Sequence, residues 1–230
     1  MNVSVLAQNG AQVVEAVRGV QKVWEQIEAL VDVFAMNLRR EVAGLASRVG
    51  KLSVTDGNND GPDAGWVYQS WHWNYVIAGG GESRRRYPSY LALDFVLDDD
   101  VTEKVIGKQP MVYVLCCSDG EFKHIAEEDF RLDASFLADE GWELGADGKL
   151  WTWTDGASFY WVFCVPLLAI NDERAVRNEL VLPAIRLIEE FRFKSPSASR
   201  DLTSVFEGTR HVLAFELNAE EIKLKGIQES

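Results

Sequence analysis

From Ala11 to about Leu52 the chain has no proline, and apolar residues recur in steps of four and three: Val13, Val17, Val20, Trp24, Ile27, Val31, Phe34 and Leu38, then Leu45 and Leu52. This is the period of an amphipathic helix, and no other stretch of the chain repeats as regularly. At ~1.5 Å per residue, about 40 residues make a rod of roughly 60 Å. A body made from the rest of the chain is not expected to cover such a rod alone. The stripe therefore needs shelter from the chain's own sheet, from a second copy or from a partner.

Glu41 and Arg48 fall where apolar residues are due, while Val42 and Val49 supply the neighbouring column. The stripe drifts as a straight helix drifts against a seven-residue repeat. Ala16, Val23 and Leu30 widen it on the other side. A narrow two-stranded coiled coil prefers β-branched residues and Leu in its seam, which Trp24 and Phe34 fit poorly. The expectation is a helical arm over residues 1–52 for oligomerisation or docking, with Val17, Val20, Trp24, Ile27, Val31, Phe34 and Leu38 as its interface, in cis or in trans. Gly19 and Gly44 each weaken the helix by up to ~1 kcal/mol relative to Ala.

Residues 53–65, SVTDGNNDGPDAG, consist largely of breakers and polar residues and read as a flexible linker. Asp56, Asn58, Asp60 and Gly61 match the opening of a calcium loop, but the twelfth position, where a bidentate acid is required, is Val67. No metal is expected there.

The body, residues 66–230, opens with the aromatic runs Trp66 to Ile77 and Tyr87 to Leu97, joined by a glycine-rich loop, which predicts an antiparallel hairpin. Met111 to Cys117, Leu150 to Thr154, Ser158 to Ile170 and His211 to Leu217 add further strands, with turns at Asp119-Gly120, 146–149 and Asp155-Gly156. Asn171 or Asp172 caps a late helix that buries Val176, Leu180, Leu187 and Phe191, and Pro183 is expected to kink or divide it. The final dozen residues read as a short helix. The fold class is thus α+β: a long N-terminal helix, an aromatic-rich antiparallel sheet of five to seven strands, and a helix packed on it late in the chain.

Seven of the eight tryptophans lie between Trp66 and Trp161. They supply a small sheet with core, or else Trp71, Trp73, Trp151 and Trp153 share one side and line a pocket for a planar or apolar ligand.

Residues 53–230 hold 17 basic and 31 acidic residues, and the stretch from Asp98 to Asp155 alone holds 15 acids and five bases. A phosphate backbone is repelled by such a surface, so nucleic acid is disfavoured as a partner. The three cysteines do not make a complete set of pairs, and Cys116 and Cys117 point to opposite faces if they lie in a strand, so reduced buried thiols are expected. With neither a secretory h-region nor a run of about 20 apolar residues, the expectation is a soluble cytoplasmic protein with no membrane contact.

Few residues carry recognisable chemistry. Asp94 in a strand, with Glu121-Phe122-Lys123 beyond it, resembles the site of PD-(D/E)xK nucleases over about 30 residues: two carboxylates for a divalent ion and a lysine that orients water. In that family the acid and lysine follow directly on an apolar strand, whereas here Ser118-Asp119-Gly120 intervenes. The resemblance implies a metal-dependent nuclease or phosphodiesterase. The loop from Gly79 to Arg86 offers backbone amides and the cluster Arg84, Arg85 and Arg86, either a solvated hairpin tip or a contact for a phosphate or acidic partner. His72, His124 and His211 are scattered without zinc-ligand spacing, and no nucleophile elbow or dinucleotide fingerprint is present. No cofactor is expected. The leading expectation is a non-catalytic interaction or ligand-binding protein that self-associates or docks a protein partner through its first helix.

Overall fold

The computed structural model describes residues 3–56, 70–79, 88–97, 104–118, 132–156, 158–193, 202, 204–218 and 221–225, except the side chains of 3–13, 16, 17, 20, 70 and 71. Helix α1 (Val3–Val49) is a single rod of 47 residues, ~70 Å long. It is followed by β1 (Leu52–Asp56), β2 (Ser70–Gly79), β3 (Ser89–Val96) and β4 (Met111–Cys117). The short helix α2 (Ala134–Asp139) then leads to β5 (Glu143–Leu144), β6 (Trp151–Asp155) and β7 (Ser158–Pro166). A second long helix, α3, spans residues 173–193, and β8 (Phe215–Asn218) pairs with β9 (Glu221–Leu224).

Strands β1 to β7 form one antiparallel sheet in the order β1-β2-β3-β4-β7-β6-β5. Its central strands are apolar on both faces, so each face needs a cover. On one face, α1 and α3 pack over Trp73, Leu93, Val114 and Phe163, which oppose one another across four strands. On the other, α2 and the β8–β9 hairpin bury Leu115, Val162 and Trp151, adding Leu137, Phe215 and Ile222. The fold is α+β in three layers.

The helical stripe is buried within the chain from Ile27 onward. Ile27, Val31, Phe34, Leu38, Val42 and Leu45 share one hydrophobic cluster with the sheet and α3. Phe34 packs against Tyr75 with ring centroids 5.5 Å apart, and Trp24 against Trp73 at 5.6 Å, both pairs tilted. The two residues that interrupt the seam meet charges on α3: Glu41 pairs with Arg177 at 2.9 Å and Arg48 with Glu189 at 2.9 Å. Over this half the helix of residues 1–52 is docked in cis, because the two-helix layer over a seven-stranded sheet is wide enough to hold it. The linker also begins later than its composition implies, since Ser53 to Asp56 belong to β1 and pair with Tyr75 to Ala78; residues 57–65 lie outside the described residues.

Asp172 caps α3 by accepting from Ala175 N–H at 2.6 Å. Val176, Leu180, Leu187 and Phe191 are all buried, as their spacing predicts. Pro183 neither ends nor splits the helix. The preceding segment, Val176–Val181, widens to π geometry, with Leu182 N–H reaching back five residues to Arg177 C=O. The helix thus passes the residue that has no N–H to give. A second π segment, Glu189–Phe193, ends it and places buried Arg192 to donate to Ile77 C=O and, at 2.7 Å, to Gly79 C=O. Gly79 is required there: its φ is +98°, and a Cβ would stand 2.2 Å from Lys51 O.

Buried Glu179 accepts the backbone N–H groups of Arg210 and His211 at 2.9 to 3.0 Å, holding the C-terminal segment against α3. Beyond it the expected closing helix is instead strand β9, because Ile222 alternates inward to join Leu137 and Phe215. Strand β8 is also shorter than the run His211 to Leu217 implies, and it pairs with β9 rather than the main sheet. The segment 194–200 lies outside the described residues.

Truncating Phe34 to Ala removes a fully buried ring between helix and sheet, and about 3–5 kcal/mol of unfolding free energy is expected to go with it in urea titrations. Val14→Ala, on an exposed flank of the same helix, is expected to stay within ~0.5 kcal/mol. Equal midpoints for the two variants would show that α1 is not part of the cooperative unit.

Candidate functional site

The first candidate surface lies along α1 around and before Ile27. Val23 and Trp24 are half-buried, and among the described side chains of the stripe Ile27 is the first that is fully buried. Upstream, positions 13, 17 and 20 continue the same line by spacing, and the charged residues Glu15, Arg18 and Lys22 fall on the opposite side, exposed. Val14 is 49% exposed on the flank.

Beside this part of α1 is an open cleft of about 490 Å³. One wall is α1 itself, through Val23, Ile27, Leu30 and Val33; the other is the turn after β7, through Leu167 and Leu168. Pro166 forces this turn out of the sheet, and the single 3₁₀ turn Leu167–Ala169 leaves Leu168 77% exposed at the rim. An apolar side chain that exposed, at the mouth of an apolar cleft, is the largest break in the inside–outside pattern among the described residues.

The second candidate is a polar row on the α2 face of the sheet. His72, Asp94, Tyr113 and Cys164 stand directly opposite one another across β2, β3, β4 and β7. Opposed residues on neighbouring strands project to the same face, so these four share one line. Asp94 is 6% exposed, and Tyr113 and Cys164 are buried. The row brings an acid, an imidazole and a phenol together, the residue types of general acid–base work. Among the described residues no group of three or more His, Cys, Asp or Glu is arranged to hold a metal ion.

The remaining expectations divide. Ile27, Val31, Phe34 and Leu38 are closed off inside the chain's own core and offer no interface to a partner, while the side chains of Val17 and Val20 lie outside the described residues. Trp73 and Trp151 face opposite sides of the sheet, Trp73 toward α1 and Trp151 toward Phe215 at 6.3 Å. Trp153 packs on Tyr160 at 5.0 Å, and the side chain of Trp71 lies outside the described residues. The four tryptophans therefore do not line one pocket: even spacing fixes parity within a strand but not between strands. Glu121, Lys123, Arg84, Arg85, Arg86, His124 and the acidic run Asp98 to Asp100 all lie outside the described residues. Asp56, the first position of the calcium-like run, is engaged by Arg39 at 2.5 Å. The cleft at Leu168 carries no sequence signal of its own, because its walls come from segments about 140 residues apart.

No protein-family model matches the chain, and no curated protein or solved structure is significantly similar to it. Among the described residues no helix is long and apolar enough to cross a membrane.

The cysteines are free and buried. Cys116 and Cys117 point to opposite faces, each into a core cluster. Burial pushes the Cys116 thiol well up, with its neighbour Cys117 adding to the effect and Arg192 opposing it, and burial alone pushes Cys164 up. Burial likewise raises the Tyr75 hydroxyl, seconded by Asp56. In the unfolded chain the thiols ionise near pH ~8.5. Groups whose folded pKa is raised stabilise the fold fully below that pH, and their contribution is lost as pH rises further. Unfolding free energy is expected to be flat from pH 7 to 8 and to fall above pH ~9, by roughly 1 kcal/mol per pH unit per thiol. A thiol reagent is expected to find none of the three native cysteines at pH 8 and all three in denaturant; fast native labelling would contradict the burial.

Proposed function

We propose that this chain is a non-catalytic interaction protein that associates with a second copy of itself through the N-terminal part of α1. The observation that supports this reading is the apolar line that the sequence continues upstream of Ile27, toward a part of α1 where Val23 and Trp24 are only half-buried and Val14 is 49% exposed. An apolar side chain of such a line, taken from water into an interface, contributes about 1.5–3 kcal/mol. Three or four such residues per copy amount to a substantial drive to associate, even after the entropic cost of pairing. The opposite side of this segment carries Glu15, Arg18 and Lys22, so the rod has one face for water and one for a partner.

Sedimentation equilibrium of the full chain over micromolar to hundred-micromolar concentrations is expected to give a mass of at least twice 25.8 kDa. Val17→Glu is expected to weaken association by tenfold or more with no change in the urea midpoint of the body. A mass of one chain throughout would refute the reading.

A second reading, favoured by buried Asp94 opposite His72 and Tyr113, is a metal-dependent phosphodiesterase or nuclease using Asp94, Glu121 and Lys123. It expects cleavage of nucleic acid or a phosphodiester on adding Mg²⁺ or Mn²⁺, abolished in Asp94→Ala. Equal rates for wild type and variant would discard it.

A further inference from the structure

We propose that the cleft at Leu168 is a binding site for a small amphipathic cation, its aliphatic body against the apolar walls and its ammonium head beside the carboxylates at the start of α3. This goes beyond self-association and does not depend on it.

Size and rigidity come first. At about 490 Å³ the cleft falls within the ~300–1,000 Å³ of small-molecule sites. Its lining residues Ile27 and Leu30 are 1% and 8% exposed, so the floor is continuous with the core. The facing wall, Pro110, Leu167 and Leu168, is tied together where Leu167 N–H donates to Pro110 C=O at 2.8 Å. A continuous helix on one side and two bonded turns on the other give the cleft a shape set by backbone, as a preformed site requires. Helix α1 contributes only a methyl group at Ala29, which leaves the space free.

The sign of the charge selects the head group. The polar lining comes mainly from one stretch, Asn171, Asp172 and Glu173, with Gln26 from α1, and among the described residues no Lys, Arg or His lines the cleft. The N-terminus of a helix favours an anion. Here that demand is already met, because Asp172 accepts the Ala175 N–H at 2.6 Å and Glu173 sits in the first turn. Glu173 is exposed and takes no part in the ion pairs among the described residues. An aliphatic amine therefore gains from the walls and from the carboxylates, whereas an alkyl anion meets the same walls with the wrong sign. Leu168, 77% exposed at the rim, is the side chain that closes over the aliphatic body.

The test is a calorimetric titration of the full chain with decylammonium chloride, octylammonium chloride and sodium decyl sulfate, each below its critical micelle concentration. Saturable one-to-one binding is expected, at least tenfold tighter for decylammonium than for decyl sulfate. Each added methylene is expected to tighten it about two- to fourfold. Ala29→Trp, which fills the cleft from an exposed helical position, is expected to abolish binding with the urea midpoint unchanged. Glu173→Gln is expected to weaken it about two- to fivefold, as for an exposed charge pair. Glu143→Gln, on the edge strand β5, is expected to leave it unchanged, which separates the site from diffuse attraction to an acidic chain. No saturable binding, equal binding of the sulfate, or an unaltered titration of Ala29→Trp overturns the site. Binding is read per chain, so either result leaves self-association to its own test.

Discussion

The structure turns on the contact between the second half of α1 and one face of the sheet. Six or more large apolar side chains, from Ile27 to Leu45, are removed from water there, and the sheet face they cover is itself too apolar to stand exposed. At roughly 25 cal/mol per Å², no polar interaction among the described residues rivals this burial. The ion pairs Glu41–Arg177 and Arg48–Glu189 are partly exposed and contribute little energy, ~0–1 kcal/mol each. Their effect is on register: they fix which turn of α1 lies beside which turn of α3. Arg192 does the same between α3 and β2 through the carbonyls of Ile77 and Gly79.

Much of this was legible in the residues. The run MVYVLCC is β4 to the residue, and the four apolar positions expected on α3 are all buried. The 3.6-residue and two-residue periods are local signals, and local signals survive any arrangement of the elements. What failed required knowing which strand lies beside which. Trp73 and Trp151 look equivalent in sequence, but β2 and β6 present opposite parity once paired through β3, β4 and β7. The destination of the α1 stripe was not decidable either. Glu41 and Arg48 read as flaws in a coiled-coil seam, whereas each answers an opposite charge about 140 residues downstream.

The candidate site was half visible. The apolar line through Val13, Val17 and Val20 is read directly from the sequence, and so is the charge on its other side. The cleft that sits beside it is not. It is assembled from α1 and a turn that leaves the sheet at Pro166, and nothing in the run Val165 to Ile170 distinguishes Leu168 from a residue of the core. Likewise, the line His72, Asp94, Tyr113 and Cys164 exists only through strand pairing, since the four residues come from four separate parts of the chain.

The distance in sequence between α1 and its cover also shapes how the molecule is made. Helix α1 meets its ion-pair partners on α3 only after some 140 further residues have been added. At a synthesis rate of about 5–20 residues per second, that delay is roughly 10–30 s. Throughout it the helix has only the strands already made, β1 to β4, against which to lay part of its apolar side. Two neighbouring nascent chains on one message would present the same half-covered stripe to each other before either has α3.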